Sequence, residues 1–138
     1  MEKYFTVDEA HRALTLIRPI VQDILSKMKR AQEIQENVKL TKSQLMSDRR
    51  ETELLTALRQ AEQLLNEIEY HIKELEGVGV LLRDLNCGLV DFPCLHDGRV
   101  VYLCWRIDES SINFWHELES GFAGRKTIDV SFRVTTNI

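Results

Sequence analysis

The sequence predicts an α+β protein, in which a long antiparallel two-helix hairpin is followed by a small antiparallel β meander of three to four strands. Three observations carry this. Apolar residues recur at alternating steps of three and four along two stretches of the first 77 residues. After Gly77 the apolar period falls to two. With 138 residues, 43% hydrophobic and 29% charged, the chain fits one folded domain that needs no disulfide or metal to hold it together. Residues 1–77 read as the hairpin, and 78–138 as the β module and its tail.

The first helix opens at a capping box, Thr6 with Glu9, where hydroxyl and carboxylate each take one orphan amide. Val7, Ala10, Leu14, Ile17, Val21, Ile24, Met28 and Ala31 then form an unbroken seam. Pro19 interrupts the backbone hydrogen bonding inside it, yet the seam stays in phase, so a kink is expected and not a terminus. The second seam is Leu54, Leu58, Ala61, Leu65, Ile68, Ile72 and Leu75, with Gly77 as the expected stop. Residues 35–51 turn polar, which places the tip near Asn37 to Ser43 and gives arms of about 45 Å at 1.5 Å per residue.

Leu16, Ile20, Leu25, Leu55 and Leu64 widen the apolar stripes beyond what one two-helix contact covers. Either the β module or a second copy of the chain must bury them, and the expectation is a homodimer through the helical hairpin. Charge is uneven along the hairpin. Residues 27–50 carry seven basic groups, including Arg49 and Arg50, against three acidic ones, whereas the whole chain has a formal net charge of −4. A basic tip can touch phosphate, but the acidic balance argues against a protein devoted to nucleic acid, and a solvated helix end explains the stretch equally well.

In the second half, residues 80–85, 89–94 and 100–106 read as strands, joined by turns at 86–88 and 96–98, where Asn, Asp and Gly tolerate positive φ. That arrangement sets Arg83 opposite Asp91 and Asp84 near Arg106, two ion pairs in a largely apolar sheet. It puts Leu81, Leu85, Leu89, Val101, Leu103 and Trp105 on one face, and Val90, Phe92, Cys94, Tyr102 and Cys104 on the other. Residues 112–116 alternate as a fourth strand would. Gly121 to Arg125 form a glycine-bracketed loop whose amides and guanidinium suit a carboxylate or phosphate. Residues 127–134 alternate again, as an edge strand or tail.

Strong chemical motifs are missing: there is no dinucleotide fingerprint, phosphate loop, Cys-x-x-Cys pair or nucleophile elbow. The spacing of Cys87, Cys94 and Cys104 is that of neither a zinc site nor a disulfide framework, so no cofactor is expected. His116 is the one residue with metal-ligand or general-base character, with Asp91 or Glu109 as its carboxylate partner. Asp84, Asp91, Arg106, Glu109, Trp115, His116 and Arg125 are the candidate ligand-binding residues. Trp105 and Trp115 either wall an aromatic pocket or fill the core. No apolar run approaches the ~20 residues that span a bilayer, and the N-terminus lacks a signal-peptide layout. With three unpaired cysteines, that points to the cytoplasm.

Several clustered motifs support a resemblance. Tyr4-Phe5-Thr6, Arg83-Asp84-Leu85, Gly88 to Pro93, Tyr102 to Trp105, Trp115-His116 and Gly121 to Arg125 together resemble the bacterial domain-of-unknown-function family 2203, over residues 3 to about 126. The resemblance implies a small bacterial cytoplasmic protein with no assigned activity, and the tail from Thr127 departs from its pattern. If the family shares a site, the matching polar residues are Asp84, Asp91, Glu109, His116 and Arg125. The functional expectation is a self-associating protein whose β module binds a small anionic ligand or a protein partner. The alternatives are a hydrolase-type or metal-dependent enzyme built on His116, and a weaker one, nucleic-acid contact by the basic tip.

Overall fold

A computed structural model describes residues 3–42 and 48–132, without the side chains of residues 48–50. Helix α1 spans Val7–Lys42 and α2 spans Asp48–Val78. Five strands follow: β1 (Leu81–Asp84), β2 (Leu89–His96), β3 (Arg99–Arg106), β4 (Phe114–His116) and β5 (Lys126–Thr127). They form one antiparallel sheet in chain order, with a 3₁₀ turn at Phe122–Gly124 before β5.

The capping box forms as the sequence predicts. Thr6 N donates to Glu9 Oε1 and Glu9 N to Thr6 Oγ1, both at 3.0 Å, and these bonds hold the Glu9 carboxyl below its ordinary range. Helix α1 then runs through Pro19 as one element, and it continues past Asn37 to Lys42. The tip expected near Asn37 to Ser43 is thus helical as far as Lys42, and residues 43–47 lie outside the described residues. Lys27 Nζ crosses to α2, donating to His71 Nε2 at 2.9 Å and lying 3.5 Å from Glu67, which fixes the helices antiparallel.

The α1 seam is as expected: Ala10, Leu14, Ile17, Val21, Ile24 and Ala31 are buried. On α2 the buried line is Ala61, Ile68 and Leu75, flanked by half-buried Leu54, Ala57 and Leu64. Leu58 and Leu65, expected in the seam, are 41% and 42% exposed. The apolar stripe on α2 contains two overlapping three–four ladders, and the helix is rotated so that Ala57 and Leu64 point inward instead. The helix also ends two residues later than expected. Gly79, with φ 103°, supplies the left-handed residue: its amide donates to Glu76 O at 3.0 Å, and the Val80 amide donates to Leu75 O at 3.2 Å. This six-to-one closure stacks fully buried Val80 on fully buried Leu75, a contact that a stop at Gly77 does not make.

In the sheet, β2 and β3 meet at a two-residue turn, Asp97–Gly98, with φ of 53° and 76°. The pairing runs from His96↔Arg99 to Leu89↔Arg106. The sequence reading allowed a three-residue turn and so misplaced the register by one, which swapped the faces of β2 relative to β3. Val90, Phe92, Cys94, Val101, Leu103, Trp105 and Trp115 face the helices together and close the core with Phe5, Leu14, Ile17, Val21 and Ile24. Arg18 clamps this junction: its guanidinium lies 5.1 Å from the Trp105 ring and donates to Ser110 O at 2.9 Å. Gly88, at φ 65°, lies directly under α1. Residues 114–116 of the expected fourth strand form β4, and of the alternating tail only Thr127 joins an edge strand, the two-residue β5. A helical turn follows at 130–132, and residues 133–138 lie outside the described residues.

Candidate functional site

The face of the sheet turned away from the helices carries the polar residues. One row crosses all five strands: Leu81↔Asp91↔Cys104↔Phe114↔Thr127. The next runs Pro93↔Tyr102↔His116. Asp91, Cys104 and His116 therefore converge from three adjacent strands, at 2%, 0% and 3% exposure.

Asp91 is the hub. Its Oδ1 lies 3.0 Å from His116 Nε2, and its Oδ2 accepts from Arg83 Nε at 3.0 Å. His116 Nδ1 lies 2.7 Å from Glu117 O, so that nitrogen carries a hydrogen, because a carbonyl only accepts. One proton must then sit between Nε2 and Oδ1, as imidazolium–carboxylate or imidazole–carboxylic acid. Burial, with the Asp91 charge beside it, pushes the Cys104 thiol up to about 12. Above the cluster, the Arg83 guanidinium lies 5.0 Å from the Tyr102 ring, which in turn lies 5.5 Å from the His116 ring.

A second constellation adjoins it through Cys104. Arg125 Nη2 donates to Glu109 Oε1 at 2.6 Å and to Cys104 O at 3.2 Å. The Glu109 carboxylate also accepts the Arg106 amide at 2.7 Å. The Arg125 guanidinium is sandwiched between Phe114, at 4.1 Å, and Phe122, at 4.7 Å. At the end of the glycine-bracketed loop it is thus the Arg125 side chain, not the loop amides, that holds a carboxylate, and that carboxylate belongs to the chain itself.

Of the residues the sequence singles out, Asp91 with His116 and Glu109 with Arg125 come together. The other side chains do not join them, although the Arg106 amide donates to Glu109. Asp84 turns away from Arg106 and caps the 85–88 turn, accepting the amides of Asn86 at 2.7 Å and Cys87 at 3.1 Å, which holds its carboxyl below the ordinary range. The expected Asp84–Arg106 pair is replaced by Arg106 Nε with Asp108 Oδ1 at 2.6 Å. The turn amides hold Asp84, and Asp108 takes the Arg106 guanidinium. The register steps from Leu82↔Val90 to Asp84↔Leu89 and leaves Arg83 unmatched at a bulge. Leu81, not Arg83, lies opposite Asp91, although the Arg83 side chain still reaches the carboxylate. Trp115 faces the core, 5.3 Å from Phe132 and 5.8 Å from His96, and Trp105 is buried there too, so both fill the core.

Sequence reasoning missed Cys104 and Tyr102. The signal for both was the Asp97–Gly98 turn, because a two-residue hairpin register places 91 opposite 104. It also missed a cleft of about 440 Å³ on the same face, lined by Lys3, Tyr4, Glu76, Leu81, Val100, Tyr102 and their neighbours. Tyr102 is both a wall of this cleft and the neighbour of the His116 ring.

A family model described as an uncharacterized conserved protein, DUF2203, matches residues 3–128, which takes in the hairpin, all five strands and both polar constellations. The chain belongs to the DUF2203 family. No curated protein and no solved structure matches it. The DUF2203 match ends one residue beyond β5, so the cleft and the Asp91 cluster fall wholly within the family region.

Proposed function

We propose that this DUF2203 protein is a small self-associating binding module of the bacterial cytoplasm, and that the cleft beside Tyr102 takes its ligand. The observation that carries this reading is the cleft's chemistry. Val80, Leu81, Pro93, Val100 and Leu118 give it an apolar floor, and Lys3 and Glu76 place one cation and one anion at its margin. Its volume is in the range of small-molecule sites, and that lining suits a ligand with an apolar body, with Lys3 the group that meets an anionic end. The compartment rests on two facts: Cys87, Cys94 and Cys104 are free thiols, and no described helix is long and apolar enough to cross a membrane.

A fluorescent apolar anion, anilinonaphthalene sulfonate, tests the cleft. The native protein is expected to bind one molecule with enhanced emission, Lys3→Glu to weaken it, and Val100→Trp to abolish it by filling the floor. Unchanged binding in Val100→Trp, or none in the native protein, would remove the cleft from consideration.

Self-association is supported by Leu55, Leu58 and Leu65, which are exposed along α2 beside the hairpin seam. A second hairpin laid on that flank makes a four-helix contact. Sedimentation is expected to give twice 16.1 kDa at micromolar concentration. A Leu58→Glu/Leu65→Glu variant is expected to run as a monomer, and a monomeric native chain would refute the dimer. An acid–base role is the second reading, favoured by the Asp91–His116 contact at 3.0 Å. The nucleic-acid reading depends on a tip whose turn and Arg49 and Arg50 side chains lie outside the described residues.

A further inference from the structure

The three side chains that converge on the outer face are chemically a ligand set. A carboxylate oxygen of Asp91, the sulfur of Cys104 and a ring nitrogen of His116 all lie within 4.8 Å of one another, and all three residues are buried. Around a tetrahedral zinc such donors stand about 3.3–3.8 Å apart, given bond lengths of 2.0–2.3 Å. Side-chain adjustments of an ångström or so bring these three into that shell.

The surroundings already hold the donors in a metal-binding posture. The Glu117 carbonyl fixes His116 Nδ1 as a donor and turns Nε2 inward, the usual outer-shell arrangement for a ligating histidine. Arg83 occupies Asp91 Oδ2 and leaves Oδ1 facing His116. A mixed sulfur, nitrogen and oxygen set selects zinc, cobalt or ferrous iron, whereas magnesium and calcium take oxygen alone.

We propose that Asp91, Cys104 and His116 form a binding site for one divalent transition metal, zinc foremost, with water completing the shell. The exchange balances. One M²⁺ enters, while the Cys104 thiol proton and the proton between His116 Nε2 and Asp91 Oδ1 leave to solvent. The net charge of the cluster is unchanged. No bond is broken apart from those to the two protons, and no oxidant or reductant is needed. The proposal does not depend on what the cleft binds.

The test is titration of the full chain with cobalt(II) chloride, in a Cys87→Ser/Cys94→Ser background that leaves Cys104 as the sole thiol. The expected result is a near-ultraviolet thiolate-to-cobalt absorption that saturates at one equivalent and disappears when zinc is added. Adding Cys104→Ser is expected to remove it. Because that change lies in the buried cluster, X-ray absorption of the zinc-loaded native chain provides a second measurement, expected to show one sulfur among nitrogen and oxygen neighbours. No absorption at saturating cobalt, absorption that persists after Cys104→Ser, or a zinc shell without sulfur would each overturn the proposal.

Discussion

Replacing Gly88 by alanine probes how the sheet is seated on the hairpin. Gly88 has φ 65°, and a Cβ there would stand 3.0 Å from Ile107 Cβ, Leu25 Cδ1 and Val21 Cγ1. The left-handed backbone alone costs an alanine roughly 1–2 kcal/mol. Pressing a methyl against three packed carbons adds about 1–3 kcal/mol, since Val21 is fully buried and has nowhere to retreat. Gly98 is the internal control. Its φ is 76°, but nothing lies within 4 Å of an added Cβ, so Gly98→Ala pays only the backbone part. Urea unfolding of the two variants is expected to place Gly88→Ala below Gly98→Ala by about 1–3 kcal/mol. Equal midpoints would mean that the 85–88 turn does not press on α1, and the helix–sheet packing described above would be wrong.

Three other outcomes follow from the local geometry. Thr6→Ala removes the hydroxyl oxygen that accepts the Glu9 amide and is expected to lower stability by about 1 kcal/mol in denaturant unfolding. Arg125→Lys keeps the charge but loses the planar stack against Phe114 and Phe122 and shifts the donor that one nitrogen, Nη2, presents to both Glu109 and the Cys104 carbonyl. A loss of roughly 1–3 kcal/mol is expected, and a neutral result would show that the stack contributes nothing. For Asp84→Asn the prediction lies in the pH dependence. Two backbone amides lower the folded-state pKa of Asp84, so its carboxylate stabilises the fold fully above the unfolded value of about 3.9, and that contribution is lost as pH falls through the lower folded value. The difference in Tm between native and Asp84→Asn protein is expected to be constant from neutrality down to about pH 5 and to shrink below pH 4; a difference that grew on acidification would contradict the capping role.

Much of this fold is legible before any coordinates. The α1 seam from Ala10 to Ala31 and the Thr6–Glu9 box are local patterns with one physical solution each, and both form as read. The α2 seam is ambiguous because Ala57, Leu58, Leu64 and Leu65 offer two neighbouring ladders, and only the opposing helix decides between them. Gly77 and Gly79 both satisfy the backbone requirement for a helix stop. What selects Gly79 is the burial of Val80 on Leu75, a tertiary contact that no local rule contains. The site was half legible. Asp91, His116, Glu109 and Arg125 stood out by residue type, but which of them meet depends on strand register. One residue of uncertainty at the Asp97–Gly98 turn hid Cys104 behind the wrong face, and the capping of the 85–88 turn by Asp84 undid the expected Asp84–Arg106 pair. Alternation fixes which residues share a face within a strand. Turn geometry fixes which faces match between strands, and a single residue there decides the site.

Asp91 and His116 are bonded to each other in the buried centre of the outer face, and the candidate metal site is built on that contact. A double-mutant cycle in urea with Asp91→Asn, His116→Gln and the pair measures this most directly. A coupling energy of about 0.5–3 kcal/mol is predicted, as expected for residues that share a buried hydrogen bond. Losses that simply add, to within about 0.3–0.5 kcal/mol, would show that the two side chains do not meet.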